Sequence, residues 1–130
     1  MLTEVFPFLL PTNIETDLPS KMRRLGDDLD RLRSGIGPTE AELAGAPLIE
    51  DWHAVLTPMG LRLTGFVSGH PGFSDRSTII SQLWASDAGG RWVRTLSRFY
   101  RLGRIADVEM TEAESKRHLA AGVEGMLSDV

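Results

Sequence analysis

Residues 78–102 read Thr-Ile-Ile-Ser-Gln-Leu-Trp-Ala-Ser-Asp-Ala-Gly-Gly-Arg-Trp-Val-Arg-Thr-Leu-Ser-Arg-Phe-Tyr-Arg-Leu, and how this stretch divides decides the fold. Asp87-Ala88-Gly89-Gly90 carries its turn signal, because aspartate and glycine supply the backbone freedom and local hydrogen bonds a reversal needs. Two strands are therefore predicted, at residues 78–86 and 91–102. With those four residues as the loop, Trp84 faces Val93 and Ile80 faces Ser97. One face then holds Trp84, Ile80, Val93 and Phe99. The other holds Ile79, Leu83, Trp92, Leu96 and Tyr100, with Arg94 and Arg98 among them. One face should carry the helices, and an apolar second face containing two arginines is unlike a plain solvent face.

Upstream, the same period of two predicts a strand at residues 52–57, a turn at Pro58-Met59-Gly60, and a strand marked by Leu61, Leu63 and Val67. That strand ends near Gly69-His70-Pro71-Gly72. Farther back the period becomes helical. Asp17-Leu18-Pro19-Ser20 opens a helix, followed by Met22, Leu25, Leu29, Leu32 and Ile36 on one narrow seam. Arg23 with Asp27, Arg24 with Asp28, and Asp27 with Arg31 stand four apart on its solvated sides. Gly35 and Gly37-Pro38 end it. Thr39-Glu40-Ala41-Glu42 is a capping box opening a short helix, and Thr111-Glu112-Ala113-Glu114 opens a C-terminal one. Val5, Phe6, Phe8, Leu9 and Leu10 form an extended arm that either packs on the domain or serves as a loose tail or docking peptide.

The expected architecture is α+β in one domain of 130 residues. It comprises an arm at 1–16, a helical part at 17–47, a four-stranded, mostly antiparallel sheet at 52–104, and a helix at 111–128. The chain has no cysteine, which removes disulfides, thiolate metal sites and thiol nucleophiles. No apolar run approaches the ~20 residues that span a bilayer, so no membrane partner is expected and the cytoplasm is the expected location.

The net charge is -4, unevenly spread. Residues 63–104 carry six arginines against Asp75 and Asp87, while the flanking segments are acidic. Acidic helices laid against a basic sheet would neutralise that middle.

The blocks Asp27 to Arg33, Ala46-Pro47-Leu48-Ile49-Glu50-Asp51-Trp52, Gly65-Phe-Val-Ser-Gly-His-Pro71, Ser81 to Trp84, and Trp92-Val-Arg-Thr-Leu-Ser-Arg-Phe-Tyr-Arg-Leu-Gly103 resemble a family of short alphaproteobacterial proteins of unknown function. The likeness spans roughly residues 20–104. It carries no activity, ligand or catalytic residue to transfer.

Three functions remain to be weighed. An exposed face of aromatics and arginine has the composition of an interface centre. The favoured reading is thus a non-enzymatic protein-interaction or regulatory module that binds through Trp92, Arg94, Arg98, Tyr100 and Arg101; its partner is another protein or a second copy. The alternative is single-stranded nucleic acid or another polyanion on the same face, the arginines neutralising phosphates and the rings stacking on bases. The third is an enzyme using His70 as a general base at a strand end between glycines, against the plainer reading of a tight turn capped by its histidine. No phosphate loop is present, and His53, His70 and His118 lack a second ligand at metal spacing. No cofactor, metal or catalytic set is therefore expected.

Overall fold

The computed structural model describes residues 1–106; the helix predicted at 111–128 lies outside them. Three short turns of helix come first: α1 (Leu2–Val5) and two 3-10 turns, Pro7–Leu9 and Pro11–Asn13. The segment is thus coiled rather than extended. Each proline starts its turn, where a missing N–H costs nothing, and the Asn13 side chain donates to the Pro7 carbonyl at 2.7 Å. Nor is the segment packed away, since none of its residues is buried.

Helix α2 (Leu18–Arg33) follows, with Leu25 buried and Leu29 and Leu32 half-buried. Met22 and Ile36, the ends of the expected seam, are exposed. Ile36 falls beyond the helix because Gly35, at φ 86°, reverses the backbone first. Helix α3 (Glu40–Ala44) starts on its predicted capping box: the Glu42 amide donates to the Thr39 hydroxyl at 3.1 Å, and the Thr39 amide to the Glu42 carboxylate at 3.2 Å.

Six strands form one mixed sheet instead of four. They are β1 (Leu48–Thr57), β2 (Gly60–Ser68), β3 (Arg76–Ile79), β4 (Ala85–Ser86), β5 (Trp92–Arg94) and β6 (Phe99–Leu102), in the order β3-β2-β1-β6-β5-β4. The β1–β6 pairing is parallel and the others are antiparallel. The β1–β2 hairpin turns where expected. Thr57 pairs with Gly60, and its hydroxyl donates to the Gly60 carbonyl at 2.9 Å. Strand β1 begins earlier than predicted and carries a bulge between Glu50 and His53, with Asp51 at φ 50°. The bulge fits because residue 65 is glycine: a Cβ there would lie 2.7 Å from the Glu50 carbonyl oxygen.

The expected third strand bends. Flat, a six-stranded sheet would hold its outer strands about 24 Å apart at ~4.8 Å per spacing. The link from Ile79 to Ala85 reaches only about 20 Å when fully extended. The sheet therefore curls until one bent strand serves both edges. Ile80 and Leu83 continue along β2, their amides bonded to the Leu63 and Leu61 carbonyls at 2.9 and 2.8 Å. Trp84 then crosses to β5 and donates to the Arg94 carbonyl at 2.8 Å.

The expected fourth strand doubles back. Thr95 to Arg98 is a tight reversal, closed by the Thr95 amide and hydroxyl on the Arg98 carbonyl at 2.9 and 3.2 Å. It sets Arg94 opposite Phe99 and Val93 opposite Tyr100. The register against β4 also differs from expectation: Ser86, not Trp84, opposes Val93. The cause is Asp87, whose carboxylate accepts the Arg91 amide at 3.1 Å and draws Arg91 into the turn.

Curling divides the apolar residues into two clusters. Ile49, Leu63, Val67, Ile80, Val93 and Tyr100 fill one, flanked by Trp52, Phe73, Leu83 and Leu102. Leu43, Trp92 and Phe99 form the other, where Leu32 of α2 and Ala46 pack against the opposite side of β5 and β6.

Candidate functional site

The reversal at residues 95–98 undoes the expected binding face. Along an uninterrupted strand, Trp92, Arg94, Arg98 and Tyr100 would project together. Folding back places Trp92 and Tyr100 in different clusters, both buried, Tyr100 completely. Trp92 sits edge-on to Phe99, ring centroids 5.3 Å apart.

Arg94 is buried too, and it faces the helices. Its Nε and terminal nitrogen lie 3.1 and 3.0 Å from the Asp28 carboxylate, and it donates a third bond to the Thr95 carbonyl at 2.6 Å. Burial pushes its pKa below the ordinary arginine value, an effect that Asp28 partly offsets and that Arg24 and Arg98 reinforce. Arg101 is half-buried and donates to the Ala46 carbonyl at 3.1 Å. Arg98 is also half-buried. The segment's outer arginines find carboxylates as well, Arg91 on Asp87 and Arg104 on Asp51 at 2.7 Å. Acidic residues of the same chain thus answer the basic middle, as its charge distribution suggested.

His70 is packed into its turn. It is 7% exposed, its ring stacks on Phe73 at 4.0 Å, and Nδ1 accepts the Gly72 amide at 2.8 Å. A neutral imidazole accepting at Nδ1 carries its proton on Nε2. The open cleft nearby is lined by Pro71 rather than by His70.

That cleft, about 470 Å³, is where elements distant in sequence meet. Helix α2 supplies Arg24, Asp27 and Asp28; α3 and its exit supply Glu42 and Pro47; the 95–98 reversal supplies Ser97 and Arg98. Of the residues singled out beforehand as binding groups, it brings together Arg94 and Arg98 alone. Arg24 and Glu42 were absent from that set. The only sequence trace of Arg24 was its i,i+4 spacing from Asp28, and the pair does not form. Asp28 turns instead to Arg94 and to Arg31, 3.4 Å away. Arg31 also reaches Glu42 at 3.2 Å rather than Asp27.

A second feature is apolar. Leu2, Val5, Phe8 and Leu9 are 62, 70, 62 and 46% exposed, alongside exposed Phe6, Leu10 and Ile14. Among the described residues no helix is long and apolar enough to cross a membrane, and no three metal-ligating side chains converge.

Several blocks that carried the family resemblance meet in space. The Trp52 indole donates to the Gly103 carbonyl at 3.0 Å, the Arg104 amide donates to Glu50 at 2.7 Å, and Gly65 seats the β1 bulge. A model described as "Family of unknown function (DUF6634)" matches residues 20–128. The chain belongs to that family. The DUF6634 match runs past residue 104, where the expected likeness ended, and includes both clusters and the whole cleft. It leaves out the exposed apolar segment at the start. No curated protein and no solved structure matches the chain.

Proposed function

We propose that this DUF6634 protein is a non-enzymatic interaction module that docks on another protein through the apolar segment of residues 2–14. The observation that carries this reading is the exposure of Leu2, Val5, Phe6, Phe8, Leu9, Leu10 and Ile14 within one short stretch. Scattered exposed apolar side chains are ordinary, but a contiguous set is an unfilled contact. Aromatic side chains such as Phe6 and Phe8 supply much of the energy where such contacts form.

Charge selects the kind of partner. The first twenty residues carry Glu4, Glu15 and Asp17 and no lysine or arginine. Anionic lipid surfaces and nucleic acids both favour cations beside the apolar or stacking groups. A protein groove with an apolar floor and a basic rim is the complementary surface. The polyanion alternative loses its platform, because Trp92 and Tyr100 are buried and Arg94 is held by Asp28.

Affinity purification from the native cell with mass spectrometry tests the assignment, comparing wild type with a Phe8→Asp/Leu9→Asp variant, each with and without nuclease. Partners retained by the wild type after nuclease and lost by the variant are the expected result. Equal recovery by both proteins sinks the docking segment, and recovery that vanishes with nuclease returns the nucleic-acid reading.

A further inference from the structure

Helix α2 presents Lys21, Leu25, Asp28 and Leu32 on one face, since they stand four, three and four residues apart. The last two have their partners in the hairpin. Leu32 packs on the cluster of Leu43, Trp92 and Phe99, and Asp28 holds Arg94 at the end of β5. One turn earlier, Arg24 shares the cleft with Ser97 and Arg98 of the reversal. Leu25 stands beside Arg24, and Lys21 is a further turn out, about 10 Å from Asp28 at ~1.5 Å per residue. The hairpin ends at the reversal, yet Lys21 and Leu25 are each only 7% exposed. Leu25 belongs to neither apolar cluster. Residues 1–17 are not its cover, because none of them is buried in return.

We infer that the C-terminal segment, residues 107–130, returns to cover this face, with Val123, Met126 and Leu127 against Lys21 and Leu25. The reach fits. Strand β6 starts at the reversal, and from Phe99 to Ala106 the chain runs alongside β1, ending about 23 Å away at ~3.3 Å per residue. A helix over 111–128, the span that its capping box and apolar spacing predict, is about 27 Å long at ~1.5 Å per residue. Laid back along the sheet from that far end, it brings its apolar C-terminal turns level with the start of α2. Leu119, Val123, Met126 and Leu127 need such a face, because most of a helix's stability comes from packing its apolar side. The family match favours the same pairing. It takes in residues 20–128, α2 and the C-terminal segment together, and omits the arm. The inference is independent of the docking segment, which contributes no residue to this contact.

The test uses the full chain, which has no cysteine of its own, with a nitroxide attached at Ser128→Cys and amide intensities followed by NMR. The expected result is a loss of intensity at Lys21 to Leu25 and none at the Thr57–Gly60 turn, which lies at the opposite end of the sheet. Val123→Asp with Leu127→Asp should restore those intensities and speed hydrogen exchange at the Leu25 amide about tenfold or more. Phe8→Asp, in the docking segment, should change neither. Broadening centred on the Thr57–Gly60 turn, or spread evenly over the sheet, overturns the proposal. So does broadening that arises between an isotope-labelled copy and a separate spin-labelled copy, which would make a second molecule the cover.

Discussion

Two stretches of this protein invert what their compositions suggest. The β5–β6 hairpin, with arginines and rings, resembles a binding surface yet turns those groups inward. Tyr100 is fully buried, Trp92 is packed on Phe99, and Arg94 is fixed to Asp28. The segment at residues 2–14 reads like core material, and nothing in it is buried. The lesson is that residue type sets what an exposed group could do, whereas the path of the backbone sets whether it is exposed at all.

The sharpest attempt to break this contrast is Tyr100→Ala. With the ring in the middle of the main cluster, the loss should be about 3–5 kcal/mol, read as a lower denaturant midpoint. A change below ~1 kcal/mol would mean that Tyr100 is not core.

Asp28→Ala comes next, at about 3 kcal/mol, because it strands the Arg94 guanidinium in a buried position. Replacing Arg94 by Met in the same background should recover much of that loss. If the single variant costs nothing, the pair is not what holds α2 to the hairpin.

Smaller is the Thr39–Glu42 capping box. Thr39→Ala should cost about 1 kcal/mol. Glu42 is held below its ordinary value of 4.5, first by the Thr39 amide and then by Arg31. A carboxyl whose pKa is depressed on folding stabilises the protein above its unfolded pKa and loses that contribution as pH falls through the folded one. Stability should therefore decline on acidification below about pH 4.5, and Glu42→Gln should flatten that part of the profile. An unchanged profile in the variant would remove Glu42 as its cause.

The smallest effect sharpens the contrast from the other side. Phe8→Asp should leave stability within about 0.5 kcal/mol of wild type, as exposed substitutions do. A large loss would show that the segment is packed after all.

Legibility followed locality. The capping box of α3 and the Thr57–Gly60 hairpin were readable because their signals, a hydroxyl three residues before a carboxylate and a proline–glycine turn, lie within a few residues of one another. The reversal at 95–98 was not readable, since its central Leu96 and Ser97 include no glycine, asparagine or aspartate, the residues that mark a two-residue hairpin turn. Once missed, it inverted every face assignment after it, because side chains alternate with a period of two. The cleft was hidden for a different reason. Asp28 has a partner four residues away that suits it by helix geometry, and it chose Arg94 from a strand far along the chain.

Considered alone, the order of amino acids determined the α+β class, the starts of α2 and α3 and the need for acids to answer a basic middle, all consequences of local propensity and charge count. Tertiary structure decided that residues 78–86 bend to serve both edges of the sheet, that residues 91–102 fold back on themselves, and which face of each lies inside. Those outcomes depend on closing a short link across a curled sheet and on which carboxylate lies nearest a buried guanidinium. Both are distances between residues far apart in the chain, and no short window of sequence contains them.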